Sequence, residues 1–462
     1  MSSLDPNKLT SVDQHGDRVD IIPAEVRGFF RRHRNWTQAI LLIIFLALPW
    51  TEMQGHQTIL LNVPAREFAL FGILFRAHDA PLLFFILALA ALGLAFVTSI
   101  WGRVWCGWAC PQTVFIDGVF RRIEQWVEGN YIQRRQLRDG PMTSAKARKK
   151  ATTWFLFFVV SALIAHSFMA YFVGAKDLIA MMQKAPSENL TYFVLVFVFT
   201  GLILFDFGWF REQFCVIMCP YGRLQSVLLD PKSMAVVYDV ERGEPRKGVK
   251  TDKKTGDCVS CNRCVQVCPT GIDIRNGLQM ECIACTACID ACDDIMEKVK
   301  KPKGLISYRT LDGSAISLKK SRSIFYILAL TLLTAGLVYS LGSRQPVHFT
   351  VLRGAGLPYS SVQGQKGETL ILNQFKVHIQ NQGKLPALYE LSLKENKLAI
   401  EITVAENPVH LAPGESREWY FFTRVSPQAF HSQNQIKTEL LLRDLKSSFT
   451  TERELILVGP RQ

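Results

Sequence analysis

The chain has 462 residues, 48% of them hydrophobic and only 20% charged, with a net charge of +13. That is too apolar for a disordered chain, and at roughly 100–200 residues per domain it allows about two to four domains. All 12 Cys lie between Cys106 and Cys292, leaving the last 170 residues without one. This distribution speaks against a secreted disulfide framework.

Residues 1–34 read as a polar tail with six Lys/Arg. Five stretches then contain no Asp, Glu, Lys or Arg: Asn35–Thr51, Ala80–Gly102, Ala151–Ala175, Asn189–Phe205 and Ser323–Ser343. Each holds 17 to 25 residues, and about that many cross a hydrocarbon core as a helix. Five such runs predict five transmembrane helices rather than buried core helices. The segments 103–150 and 211–322 carry ten and 19 Lys/Arg, whereas 53–79 and 176–188 carry two each. The positive-inside rule puts the tail and the two basic segments in the cytoplasm of a multi-pass inner-membrane protein. The fifth helix delivers the C-terminal region to the periplasm. The basic excess thus reads as topology and contact with the lipid bilayer, not as a nucleic-acid footprint.

Two matched motifs follow the second and fourth runs: Cys106-Gly-Trp-Ala-Cys110-Pro111 and Cys215-Val-Ile-Met-Cys219-Pro220. A spacing of four predicts both sulfurs of a pair on one helix face. The repetition suggests a duplicated two-helix unit within a membrane domain at 35–230, with four thiols converging at the membrane surface. They could bind a soft metal such as Cu(I), relay electrons as dithiols or ligate a further iron–sulfur cluster. The plainer reading is buried small hydrophobes. Among other polar groups, His166 sits mid-span with Met169 nearby, as a functional candidate or a helix–helix hydrogen bond. Asp206 is expected at the interface. Met53, His56 and His78 lie in the first outer loop without a specific metal spacing.

The segment 231–322 holds Cys258, Cys261, Cys264 and Cys268, then Cys282, Cys285, Cys288 and Cys292. This is C-x2-C-x2-C-x3-C twice, the run of a bacterial two-cluster ferredoxin, in which the remote fourth Cys serves the other cluster. The predicted ligand sets of two 4Fe–4S clusters are Cys258, Cys261, Cys264 and Cys292, and Cys282, Cys285, Cys288 and Cys268. A zinc ribbon needs only four such ligands. Asp293 stands where the second run usually has Pro, which removes a turn constraint but no ligand. After the fifth helix at 323–343, residues 344–462 show seven β-rich runs: Val347–Leu352, Leu370–Gln380, Leu388–Leu393, Ile400–Ala405, Glu418–Val425, Gln435–Leu442 and Phe449–Val458. They predict an immunoglobulin-like β-sandwich without a disulfide.

The two Cys-Pro motifs, Tyr238-Asp239, Arg242-Gly-Glu-Pro-Arg246 and the run from Thr255 to Cys292, with Gly304-Leu-Ile-Ser-Tyr308 after it, carry a resemblance. Together they resemble the cytochrome c oxidase accessory protein family CcoG, also called FixG or RdxA, over essentially the whole chain. The resemblance implies a membrane iron–sulfur protein that reduces Cu(II) to Cu(I) during assembly of a cbb-type haem–copper oxidase. Copper is then the substrate ion, and Cys106, Cys110, Cys215 and Cys219 are the candidate catalytic and copper-binding thiols. The implied partners are oxidase assembly factors, copper-handling proteins, a cytoplasmic electron donor that no motif names, and a second copy in a homodimer. Rival readings are a quinol-linked electron-transfer subunit, with His166 its first residue to test, and a non-redox assembly scaffold.

Overall fold

The computed structural model describes residues 20–460, apart from 54, 76–78, 249–254, 317–318, 364–367, 384, 395–398, 431–432 and 448. His78 lies outside the described residues. The chain divides into two compact units, Met1–Val338 and Tyr339–Gln462.

The first unit combines membrane helices with the Cys-rich module. Among the described residues, four helices are long and apolar enough to cross a membrane: Pro81–Trp101, Ser144–Val173, Leu190–Phe210 and Ser321–Gly342. The first uncharged run is also helical, within α1 (Phe29–Ala47). Arg31, Arg32 and Arg34 occupy its first turns and shorten its apolar part, so it falls outside that class. Helix α2 (Ala80–Trp101) has Pro81 in its first turn, where a missing N–H costs nothing. It stops at Gly102, whose φ of +59° favours glycine. A Cβ there would also meet the Met234 carbonyl oxygen. Two short helices follow, α3 (Val104–Trp108) and α4 (Pro111–Phe115), then a wider π turn at Ile116–Phe120 and α5 (Arg121–Glu128). Helix α6 (Ser144–Val173) starts at Thr143, whose hydroxyl accepts from the Lys146 N–H. Its 30 residues span about 45 Å, so the Lys- and Arg-rich first turns lie beyond the apolar stretch. Helix α7 (Leu190–Ile203) widens into a π segment at Leu204–Phe210. A further π turn at Phe214–Met218 leads to α8 (Pro220–Leu228).

A buried charge network ties these ends together. Asp117 accepts from Arg121 at 2.7 Å and from Arg31 at 3.2 Å, and also pairs with Arg34. Arg121 reaches Glu212 at 2.5 Å, and Glu124 pairs with Arg211. Burial by itself would raise Asp117, but the surrounding guanidiniums of Arg34, Arg121 and Arg31 hold it well below the usual carboxylate range.

The Cys-rich module opens and closes on an antiparallel pair, β1 (Met234–Tyr238) and β2 (Ile306–Thr310), with Val236 opposite Tyr308. Between them lies α9 (Ala287–Lys298). Val236, Ile274, Ile289, Leu305 and Ile306 form its core with Cys258 and Cys264. Helix α10 (Ser321–Gly342) leaves the module.

The second unit is a sandwich of two antiparallel sheets. Among the described residues its nine strands are β3 (Val347–Arg353), β4 (Ser360–Gln363), β5 (Thr369–Asn381), β6 (Ala387–Leu393), β7 (Glu401–Val404), β8 (Val409–Leu411), β9 (Ser416–Val425), β10 (Gln435–Asp444) and β11 (Thr450–Val458). One sheet runs β7-β9-β5-β3, with β4 also on β5; the other runs β8-β6-β10-β11. All seven β-rich runs are strands. Two short ones, β4 and β8, lacked a β-rich run to mark them. Strand β5 alternates as expected, burying Ile371, Phe375, Val377 and Ile379. These pack with Phe349, Phe421, Leu440 and Leu457.

Candidate redox site

Two loops of the module share one backbone design. In the first, Ser260 and Asn262 flank Cys261 with φ of +56° each; in the second, Ala284 and Thr286 flank Cys285 with φ of +52° and +62°. Four non-glycine residues in the left-handed region, at matching places, curl each loop inwards at a cost of about 1–2 kcal/mol per residue. Such strain marks a site whose geometry matters more than local ease. Helix α9 then presents Cys288 and Cys292 one turn apart.

The fold gathers the eight sulfurs into two groups. Cys258, Cys261, Cys264 and Cys292 line one small cavity. Cys268, Cys282, Cys285 and Cys288 line a second, which Cys264 also borders. Cys261 is the exposed member; the others are buried or half-buried. Burial raises the Cys264 thiol to about 11 and the Cys282 and Cys292 thiols to about 12. Among the described residues no three His, Cys, Asp or Glu side chains converge tightly enough to hold a single metal ion. A cubane spreads four thiolates around four irons, and two sets of four soft donors, spaced apart, fit two 4Fe–4S clusters.

The four remaining thiols are arranged differently from the sequence-based expectation. Helix α3 ends at Trp108, and Cys110 is extended (φ −61°, ψ 129°) as the residue before α4. Cys219 is likewise extended (φ −71°, ψ 110°) before α8. Neither pair shares one helix face. The prolines Pro111 and Pro220 are the reason, because a residue before proline is pushed out of the helical region. Each pair therefore straddles a helix break. The thiols remain neighbours across the two motifs. Burial raises Cys106 to about 12, with Cys110 and, more weakly, Cys219 adding to it. Cys215 is also raised, by burial first, then by Glu212 and Cys110. Cys106 Sγ donates to Gln225 Oε1 at 3.2 Å.

The two halves of the site touch at Gly107. A Cβ there would lie 2.6 Å from the Ile283 carbonyl oxygen and 2.8 Å from the Ala284 carbonyl. The turn bearing Cys106 thus rests directly on the backbone of the Cys282–Cys285 loop, and only glycine fits. Arg34 fastens it from the other side, its Nε donating to the Gly107 oxygen at 2.7 Å. Arg103 donates to the carbonyls of Gly222 at 2.6 Å and Cys282 at 3.4 Å. Asp290, between Cys288 and Cys292, accepts from the Phe30 and Arg31 N–H groups at 3.2 and 2.7 Å. It caps α1 from a distant part of the chain. Asp293 accepts from the Gly304 N–H at 2.9 Å and so turns the chain after α9. Sequence reasoning missed Gly107, Asp290 and this role of Asp293, since each partner lies far away in the chain.

The other candidates are dispersed. His166 lines an apolar cavity of about 340 Å³ with Met181 and Tyr192, and its Nδ1 lies 2.7 Å from the Ala162 oxygen. Met169 is buried in an apolar cluster that shares Leu178 and Tyr192 with the lining of this cavity. Asp206 accepts from Gln112 Nε2 at 2.9 Å. Met53 and His56 face each other across a two-residue strand pair.

Comparison with known proteins agrees with this geometry. Residues 82–130 match a family described as a 4Fe-4S binding domain, and residues 210–311 one described as a 4Fe-4S dicluster domain. Residues 337–460 match the Ig-like fold at the C-terminus of FixG. The protein is a membrane iron–sulfur redox protein with an Ig-like C-terminal domain. RdxB of Cereibacter sphaeroides is 32% identical over 419 residues, covering 86% of each chain, and the chain belongs to the FixG/RdxA family. RdxA of the same organism is 37% identical over 64% of each chain. The nitrogen fixation protein FixG of Rhizobium meliloti is 36% identical over 66% of this chain and 60% of its own. The matches thus span somewhat under two thirds of the lengths of RdxA and FixG. A solved FixG-related protein from Vibrio parahaemolyticus aligns with 25% of this chain and 98% of its own, at 18% identity and a TM-score of 0.21.

Proposed function

We propose that the chain reduces Cu(II) to Cu(I) at the thiols of Cys106, Cys110, Cys215 and Cys219, serving assembly of a cbb-type haem–copper oxidase from the inner membrane. The observation that carries this reading is the contact of Gly107 with the Ile283–Ala284 backbone, which joins the Cys106 turn to the ferredoxin module. The clusters that the eight ferredoxin cysteines would hold supply single electrons when bound. The helix-end thiols receive the ion. Reduction turns an ion suited to imidazole into one suited to thiolate, so the same sulfurs hold the product better than the substrate. Burial raises the Cys106, Cys110 and Cys215 thiols, so an ion binding there displaces their protons. The balance is one electron per copper, from a cytoplasmic one-electron donor. Assembly factors and copper-handling proteins would bring and remove the ion.

Replacing these four Cys by Ser tests the reading. Copper reduction should fall to background while the visible absorbance of the ferredoxin module persists. Undiminished reduction would refute it. One finding favours a second reading: the family match over residues 82–130 is to a 4Fe-4S binding domain that contains Cys106 and Cys110. The four thiols would then ligate a third cluster. Iron analysis separates the two, with about eight irons per chain for two cubanes and about twelve for three.

A further inference from the structure

A cleft of about 530 Å³ lies between residues 23–28, the first turns of α1, the start of α5 and the ferredoxin module at Val267, Pro269 and the first residue of α9, Ala287. Six arginines line it: Arg27, Arg31, Arg32, Arg34, Arg121 and Arg122. The acidic lining residues are Glu25 and Asp117, and both are engaged. Asp117 is held by Arg31, Arg34 and Arg121, and Glu25 by Arg134 at 2.9 Å. Arg27, Arg32 and Arg122 remain without an ion-pair partner among the described residues, so three guanidiniums face one cleft uncompensated. A second observation points the same way. Asn35 lines the cleft, and its buried side-chain oxygen has no hydrogen-bond donor among the described residues.

The position of the cleft narrows the ligand. Trp36 follows Arg32 by one turn of α1, and Trp126 follows Arg122 by one turn of α5; both tryptophans are among the most exposed, at 67% and 79%. Residues four apart share a helix face. Two helices thus repeat one pattern, a free guanidinium with an exposed indole beside it. That pairing suits the headgroup level of a bilayer, where Trp sits at the interface and Arg meets phosphate.

We propose that this cleft binds a phosphate-bearing anion, with Arg27, Arg32 and Arg122 on the phosphate and the Asn35 oxygen accepting from a headgroup hydroxyl. The anion is supplied by an acidic glycerophospholipid or by soluble phosphate. Bound there, it bridges α1, α5 and the ferredoxin loops, and so fastens the module to the membrane helices. This site is independent of what the helix-end thiols do.

The test uses the full chain, purified in neutral detergent. Short-chain phosphatidylglycerol, short-chain phosphatidylcholine and inorganic pyrophosphate are titrated separately against thermal stability and tryptophan fluorescence. Phosphatidylglycerol should bind and phosphatidylcholine should not. The triple variant Arg27→Gln/Arg32→Gln/Arg122→Gln should weaken binding on the order of a hundredfold, at about 1 kcal/mol per surface arginine. The matching Arg→Lys variant should retain most of it. Pyrophosphate binding with the same arginine dependence, without phosphatidylglycerol binding, would assign the site to a soluble anion. Equal binding by wild type and the Gln variant, or none of either anion, would overturn the proposal. Copper reduction is not a readout here, so failure of this site and failure of the reductase reading are told apart.

Discussion

At the residue scale, one missing side chain sets how near the Cys106 turn and the Cys282–Cys285 loop come. Gly107 stands between Cys106 and Cys110, where a β-carbon would strike backbone atoms of Ile283 and Ala284 at 2.6–2.8 Å. Backbone cannot swing aside as a flexible side chain can, so Gly107→Ala must push the Cys106 turn off the Cys282–Cys285 loop. A misplacement near 1 Å costs on the order of tenfold to a hundredfold in rate. On the proposed reading, copper reduction by Gly107→Ala should fall accordingly, with iron content unchanged. A full rate would show that the contact is not on the route. Asp290 works at the same scale and spaces the loop differently. Its carboxylate caps α1, and a Cβ on Gly28 would crowd the Asp290 side chain.

At the scale of elements, proline decides the shape of both thiol motifs and buried charge decides how they are held. Pro111 and Pro220 break the helices between paired cysteines, and the π turns at Ile116–Phe120 and Phe214–Met218 lie close by in sequence. Such widened turns recur at functional sites. Asp117 sits in the first of them and gathers Arg31, Arg34 and Arg121 from α1 and α5. Asp117→Asn keeps the shape but leaves buried guanidiniums uncompensated, for a loss of about 3–5 kcal/mol. Thermal unfolding of the ferredoxin-bearing unit should shift down accordingly. The pH dependence follows from the depressed pKa of Asp117. A group lowered in the folded state adds stability above its unfolded pKa and loses it as pH falls through the folded one. This contribution should therefore be complete at neutral pH and decline only below the ordinary carboxylate range. In Asp117→Asn that acid-dependent part should be missing; an unchanged acid profile would show that the network contributes little.

At the scale of the molecule, the chain is two units with separate cores. The C-terminal unit has a closed apolar interior of its own, from Phe349 to Leu457. Buried amides of β5 join its two sheets: Asn373 donates to the Val458 oxygen at 3.0 Å and accepts from the Val458 N–H at 2.8 Å, and Asn381 donates to the Leu411 oxygen at 3.1 Å. Asn373→Ala leaves two backbone groups unpaired, at about 1–3 kcal/mol each. Residues 339–462 made alone should unfold in one urea transition, and the variant should shift its midpoint down. A transition unmoved by the substitution would mean that water replaces the amide.

Chemistry and local periodicity were legible from the amino-acid order. Cysteine spacing marks cluster ligands because a cubane demands three sulfurs from one tight loop. Uncharged length marks membrane helices because lipid tolerates few charges, and alternation marks strands because successive side chains face opposite sides. Reach across the chain was not legible. The Cys-x3-Cys spacing predicts one helix face, yet the proline after each second cysteine forbids it. The contact of Gly107 with Ile283, the cap that Asp290 gives α1 and the gathering of six arginines around one cleft join residues about 90 to 260 positions apart. Such contacts depend on how helices and loops stack in space, and only the tertiary structure decides that.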